Sequence, residues 1–333
     1  MSRPFDRRLF LQSMAVLATV PLTACSWQDQ PLPQVSSGRI ERLAAFPSRY
    51  VDARHIDVWI PDGYNGQTRH PVIYMHDGQA VFDGAAAMSK SGWQLDRAVA
   101  AWTSQHQGVA PLIVAVWSHD RLRHAEYFPQ PMLDQLSAAA RERAWQQVPV
   151  LMRPFAGDLV KEGRARSTDY LKFLVEEVKP VIDARFATRS DRDHTFLMGS
   201  SMGGLISVYG LLAYPQVFGA AAALSTHWIG LFERNDEISA AALAWLQQAL
   251  PATPDALRLY LDRGTIELDA EYAHAQQQVD ALLQTRGFTA PRVVSRVFAG
   301  AGHNERDWAK RVLTPLTFLL NGVPSTAAAD RQL

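Results

Sequence analysis

Gly199-Ser200-Ser201-Met202-Gly203 carries the spacing G-x-S-x-G. That spacing belongs to a sharp strand-to-helix turn that lifts a serine hydroxyl clear of the backbone. His194-Thr195-Phe196-Leu197-Met198 before it has strand composition, and Gly203-Gly204 opens the apolar helix-like run Leu205 to Ala213. A serine at neutral pH is a weak nucleophile and needs an adjacent base. Around such a turn the acid and then the base follow the serine in chain order. Only His227, His274 and His303 follow Ser201. His274 lies inside a helical pattern and reads as a surface residue. His227 stands just past a strand end, where it can line a pocket. His303, in Gly300-Ala301-Gly302-His303-Asn304, falls between the last strand and the last helix, and is the expected base.

The acid should come from the loop after the strand Leu257 to Leu261. Asp262, Glu267 and Asp269 all qualify by position. A triad carboxylate accepts the imidazole N–H and fixes its tautomer. Glu267, near the middle of the loop, is the expected acid, Asp269 is the alternative, and Asp262 reads as a strand-end residue. Two backbone N–H groups should hold an oxyanion: that of Met202, and that of Gln79 in the loop Tyr74-Met75-His76-Asp77-Gly78-Gln79. His76 and Asp77 could pass for a metal pair, but no complementary ligand cluster accompanies them, so they read as loop braces. No metal and no organic cofactor is expected.

From about residue 41 the pattern is strand alternating with helix. His55 to Ile60 alternates apolar residues and reads as a half-buried strand. Val72 to Met75, Leu112 to Trp117 and Thr195 to Met198 are short continuous apolar runs, as in strands buried on both faces. Ala220 to Leu224, Leu257 to Leu261 and Val293 to Phe298 are further strands. Helical spacing marks Trp93 to Trp102, Tyr170 to Phe186, Glu271 to Gln284 and Glu305 to Leu320. The expected fold class is α/β: a mostly parallel central sheet with helices on both faces. His119 to Arg166 interrupts the alternation and reads as an inserted, lid-like segment or pocket wall. Its Arg121, Arg123 and Tyr127, together with His76, Asp77, Trp93, His227 and Trp228, are candidates for a substrate pocket; large aromatics are also often core residues.

Met75-His76-Asp77-Gly78-Gln79-Ala80-Val81-Phe82-Asp83, Gly92-Trp93, the Ser201 turn with Gly204, and Gly302-His303-Asn304 together resemble the putative-esterase family of α/β-hydrolases. Enterochelin esterases, feruloyl esterases, S-formylglutathione hydrolases and mycolyltransferases are among its members. The resemblance runs over about residues 41–322. It implies the α/β-hydrolase fold, Ser201 as nucleophile and His303 as base. It favours Glu267 as acid through Gly264-Thr265, although some siderophore esterases of the family lack a recognisable acid. The implied reaction is ester hydrolysis through an acyl-enzyme, on a sugar-linked, aromatic or siderophore ester. An acyltransferase using the same intermediate and a non-catalytic ligand-binding lipoprotein are the alternatives.

The N-terminus reads as an address. MSRPFDRR is followed by the apolar run Leu9 to Ala24, too short to span a bilayer comfortably and laid out like a secretory signal. Asp6-Arg7-Arg8-Leu9-Phe10-Leu11 resembles a twin-arginine signal. Leu22-Thr23-Ala24-Cys25 resembles a lipobox, in which the cysteine is acylated. The expected organisation is therefore signal peptide 1–24, lipidated Cys25 and a Pro/Ser-bearing tether 25–40, hydrolase domain 41–322 and tail 323–333. It implies an exported lipoprotein held to a membrane through Cys25. Cys25 is the single cysteine, so an internal disulfide is excluded. Lys+Arg and Asp+Glu are 33 each, and a net charge of +0 argues against nucleic acid as a partner. At 47% hydrophobic residues the chain can bury a large core. Oligomeric state is not legible.

Overall fold

The apolar runs form eight strands of one sheet: β1 (Arg39–Phe46), β2 (Arg54–Ile60), β3 (Val72–His76), β4 (Leu112–Val116), β5 (Thr195–Ser200), β6 (Ala220–Leu224), β7 (Leu259–Arg263) and β8 (Val293–Val297). This is a computed structural model, and it describes residues 30–87, 89–148, 159, 163–229 and 234–320. The strand order is β1-β2-β4-β3-β5-β6-β7-β8. β2 pairs antiparallel with β1 and with β4, and every other pairing is parallel. This is an α/β-hydrolase fold. β3 lies between β4 and β5, so the loops leaving the C-terminal ends of β3 and β5 are neighbours. Ligands of open parallel sheets bind outside those strand ends.

One face of the sheet is covered by the helices Leu95–His106 and Leu313–Leu320, with Ile73, Phe196, Val99, Leu316 and Leu319 in the core between them. On the other face the helix Met202–Ala213 packs against β5 and β6 with all but its last turn buried. Its small residues permit the approach. A Cβ on Gly210 would stand 2.6 Å from Leu197 Cδ1.

Four sequence expectations change. β2 is buried along its whole length rather than half-buried. Its polar positions are paired instead of solvated: Arg42 Nε donates to Asp57 at 2.6 Å, and Trp117 Nε1 donates to the same carboxylate at 2.9 Å. The expected tether 25–40 is docked at its C-terminal end, because Ser36 donates twice to Asp96 and β1 begins at Arg39. The last helix is two helices, Glu305–Arg311 and Leu313–Leu320; Pro315 has no N–H to offer the Arg311 carbonyl, so one continuous ladder cannot form. Tyr170 to Phe186 contains a π turn, Phe173–Val178, just ahead of Pro180 for the same reason.

The described part of the inserted segment carries the helices Arg123–Tyr127, Gln130–Leu133 and Ala138–Gln147. Its start is fixed to the sheet. Arg54 on β2 donates twice to Glu126 at 2.7 Å, with both side chains almost fully buried. The signal peptide, Cys25 and the tail 323–333 lie outside the described residues. No described helix is long and apolar enough to cross a membrane.

Candidate active site

β5 ends at Ser200, and Ser201 turns the chain with φ 57° and ψ −124°. A non-glycine residue there is strained by about 1–3 kcal/mol, which the surrounding structure must hold. Ser201 N–H donates to Leu224 O on β6 at 2.9 Å, and the Ser201 carbonyl accepts from Leu205 and His227. Gly199 is a steric necessity and Gly203 stands in tight space. A Cβ on Gly199 would lie 2.7 Å from the Gly203 backbone, and one on Gly203 would lie 3.1 Å from Asp77 Oδ2. The turn therefore presents a half-buried serine at the N-terminus of a helix, whose first N–H groups have no intrahelical acceptor. Met202 N–H is one of them.

His303 follows β8 in the loop that opens the helix Glu305–Arg311, capped by Asn304. Its Nδ1 lies 2.6 Å from Asp269 Oδ1. Asp269 is fully buried. Burial alone would raise its pKa, but hydrogen bonds from His303, Ser225 and Gly264 outweigh that and hold it below the usual carboxylate range. An ionised carboxylate only accepts, so the proton lies on His303 Nδ1, and Nε2 is left as a base. Ser225 Oγ donates to Asp269 Oδ2 at 2.6 Å, while Trp308 Nε1 and Arg311 Nη2 donate to Ser225 Oγ at 3.0 and 2.9 Å. Every hydrogen-bonding position of that hydroxyl is used.

The carboxylate on the imidazole is thus Asp269, and the expectation for Glu267 is corrected. Glu267 sits at φ 55°, and a helical turn, Leu268–Glu271, follows it and carries Asp269 inward. Glu267 Oε2 accepts instead from His303 N at 3.1 Å and Asn304 Nδ2 at 3.2 Å, so it shapes the histidine loop. Asp262, also fully buried, pairs with Arg311 Nη2 at 3.1 Å and accepts from the Tyr260 hydroxyl. Burial pushes its carboxyl up to about 6 against the pull of Arg311.

The other loop comes from β3. Gln79 Nε2 donates to Ser118 Oγ at 2.7 Å, and Ser118 N–H donates back to Gln79 Oε1 at 3.1 Å. This clamp ties Gln79 to the end of β4. Gly78 is needed because a Cβ there would meet the Ala115 backbone at 2.6 Å. Asp77 accepts from Arg123 Nε and Nη2 at 2.6 and 2.8 Å, which ties the inserted segment to the loop. His76 Nδ1 lies 2.8 Å from the Tyr170 hydroxyl. Burial lowers the His76 pKa to about 4, so the ring is neutral. Trp93 and Trp228 are 3% and 1% exposed, so neither offers a face to a pocket. Trp93 stacks on Trp308, whose ring meets the His303 edge at 5.0 Å. Trp228 Nε1 donates to Gln276 Oε1. His76 and His227, 2% and 4% exposed, are as buried, and all four are corrected from pocket candidates to backing residues.

Tyr272 was not singled out from sequence. It is almost fully buried beside the histidine loop. Its hydroxyl lies 2.6 Å from His227 Nδ1, and the ring meets His303 edge-on at 5.3 Å. Tyr272 thus packs between His227 and His303. Its only sequence signal is its place three residues after Asp269.

The family model described as "Putative esterase" matches residues 49–319. An uncharacterized protein YbbA of Bacillus subtilis (strain 168) is 22% identical over 281 residues, covering 82% of this chain and 95% of that protein. Among solved structures, a ferulic acid esterase superposes with TM-score 0.60 at 16% identity, over 86% of this chain and 98% of its own. The enterochelin esterase of Shigella flexneri gives 0.58 at 17%, over 89% of this chain and 61% of its own. An IroE-like serine hydrolase from Shewanella oneidensis gives 0.56 at 16%, over 85% and 80%. These three share its fold.

Proposed function

Because the chain belongs to the putative esterase family, we propose that it is a serine carboxylic-ester hydrolase working through an acyl-enzyme on Ser201. The observation that carries this reading is the 2.6 Å contact between His303 Nδ1 and a buried, ionised Asp269. It leaves Nε2 as the free base of the ring, and Ser201 is held on a strained turn. In the first half-reaction His303 Nε2 takes the Ser201 proton as Oγ bonds to the ester carbonyl carbon. The N–H groups of Met202 and Gln79 hold the oxyanion, and the imidazolium is stabilised by Asp269. The alcohol leaves with the proton from His303. Water then repeats the sequence on the acyl group and restores Ser201.

The substrate is proposed to be a sugar-linked, aromatic or siderophore ester. The names of two fold relatives, ferulic acid esterase and enterochelin esterase, fit that range. The N-terminal pattern supports export and an anchor at Cys25, tested by mass spectrometry of the membrane fraction; an unmodified Cys25 overturns the anchor. Hydrolysis of p-nitrophenyl acetate, then of a panel of acetylated sugars, feruloyl esters and siderophore esters, tests the activity. Ser201→Ala and His303→Ala should each abolish turnover, and activity surviving Ser201→Ala would overturn the reading.

A further inference from the structure

Asp262 near the end of β7 is fully buried, and Arg311 at the end of the helix Glu305–Arg311 is almost so. The serine–histidine–aspartate mechanism uses neither. Arg311 Nη2 donates to Asp262 Oδ1 at 3.1 Å and to Ser225 Oγ at 2.9 Å, so both of its hydrogens are engaged. Nε lies 3.4 Å from Asp262 Oδ2, and Nη1 is buried with no partner among the described residues. The Tyr260 hydroxyl donates to Asp262 Oδ2 at 3.0 Å. A buried ion pair needs only Asp262 and Arg311; the second hydrogen on Nη2 is what carries it to the site.

Ser225 is the link. Trp308 Nε1 and Arg311 Nη2 fill the two lone pairs of its oxygen, so its one proton goes to Asp269 Oδ2 at 2.6 Å. Gly264 N–H donates to the same oxygen at 2.5 Å, and Oδ1 is left to His303 Nδ1. Among the described residues Arg311 is the one cation in contact with both buried carboxylates, its Nη2 standing 3.7 Å from Asp269 Oδ2. Released from Asp262, that nitrogen would close on Asp269 and compete with the imidazole for its charge. We infer that Asp262 is a positioning residue of the triad: it holds Arg311 on Ser225, and Ser225 holds Asp269 with Oδ1 on His303. The inference rests on the Ser201–His303–Asp269 reading above. The titratable and charged groups around the chain of contacts come from four directions. They are Tyr260 and Asp262 on β7, Arg296 opposite Asp262 on β8, Glu267, Asp269 and Tyr272 after β7, and His303, Asp307 and Arg311 at the last strand-to-helix connection. Asp262, with its carboxyl pushed up to about 6 by burial, completes the pair only above that pH.

The test is the pH dependence of kcat/KM for p-nitrophenyl acetate with the full chain, beside the NMR line of the His303 Nδ1 proton, assigned by its loss in His303→Gln. In Asp262→Asn the side-chain oxygen still accepts from Arg311, but a full positive charge is left beside Asp269. An imidazolium at His303 is then disfavoured, so the acid limb of kcat/KM should move to lower pH by about half a unit or more. The Nδ1 proton line should shift with it. Ser225→Ala leaves the ion pair intact and removes one of the two donors on Asp269 Oδ2. It should lower kcat about tenfold with KM little changed, and move or broaden the same line. A pair with no role beyond holding the fold would lower the melting temperature and leave limb and line in place, and that result overturns the inference. Should Asp262→Asn not fold, Ser225→Ala decides, and an unchanged line with unchanged kcat overturns it. A wild-type chain that hydrolyses no ester strikes the proposed function instead, and the NMR line still decides whether Asp262 holds Asp269 on His303.

Discussion

Asp269→Asn exchanges one oxygen for NH2, and the surrounding donors dictate which one. Asp269 Oδ2 accepts from Gly264 N–H at 2.5 Å and from Ser225 Oγ at 2.6 Å, whereas Oδ1 faces His303. The Gly264 N–H can only donate, so the remaining oxygen must stay at the Oδ2 position. The new NH2 is then turned to His303 Nδ1 and donates to it. The imidazole proton is forced to Nε2, and the ring can no longer accept the proton of Ser201. Loss of the correct tautomer lowers turnover about 10⁴-fold, or about 5.5 kcal/mol of barrier. KM should change little, because the acid does not touch substrate. Glu267→Gln is the control. Its oxygen still accepts from His303 N and Asn304 Nδ2, so activity should stay within about tenfold of wild type. Steady-state kinetics on p-nitrophenyl acetate, with melting curves to verify folding, decides between them. An Asp269→Asn enzyme retaining more than a tenth of wild-type turnover would refute the reasoning, as would a Glu267→Gln enzyme as impaired as it.

Two further predictions concern stability. Glu126→Gln leaves the buried Arg54 guanidinium facing a neutral amide in place of its bidentate carboxylate. It should destabilise the fold by about 3 kcal/mol, read by urea denaturation; a change below about 1 kcal/mol would contradict a fixed inserted segment. His76 gives a pH prediction. Its folded pKa of about 4 lies below the unfolded value near 6.5, so the unfolded chain binds more protons between those pH values. His76 should therefore contribute a loss of about 3 kcal/mol as pH drops from 6.5 to 4, opposed below about pH 6 by Asp262, whose raised carboxyl gains its proton in the fold first. Asp269, with its depressed pKa, adds to that loss at the acid end. His76→Phe should flatten the slope, and an unchanged slope would remove His76 from the account.

Much of this was legible because it is written in local pattern. The continuous apolar runs marked β3, β4, β5 and β6 to within a residue or two, and Gly199 of the Ser201 turn marks a steric need that the Cβ distance bears out. What stayed hidden depends on side-chain direction. Glu267 and Asp269 are two residues apart in a polar loop, and no pattern reveals that a positive φ at Glu267 sends the second inward. Trp93 and Trp228 occupy plausible pocket positions in the chain, yet the fold buries both. β1 escaped notice because its polar residues are exposed or ion-paired along an edge strand. Tyr272 became visible only when separate loops met at one hydroxyl.

The central claim is that Ser201 forms the covalent intermediate. Mapping the adduct left by a fluorophosphonate ester, by peptide mass spectrometry of the inactivated protein, tests it most directly. The account predicts one equivalent of label on Ser201, with loss of activity in proportion and no labelling of Ser201→Ala. Stoichiometric label on any other residue, or full inactivation with Ser201 unmodified, would contradict it.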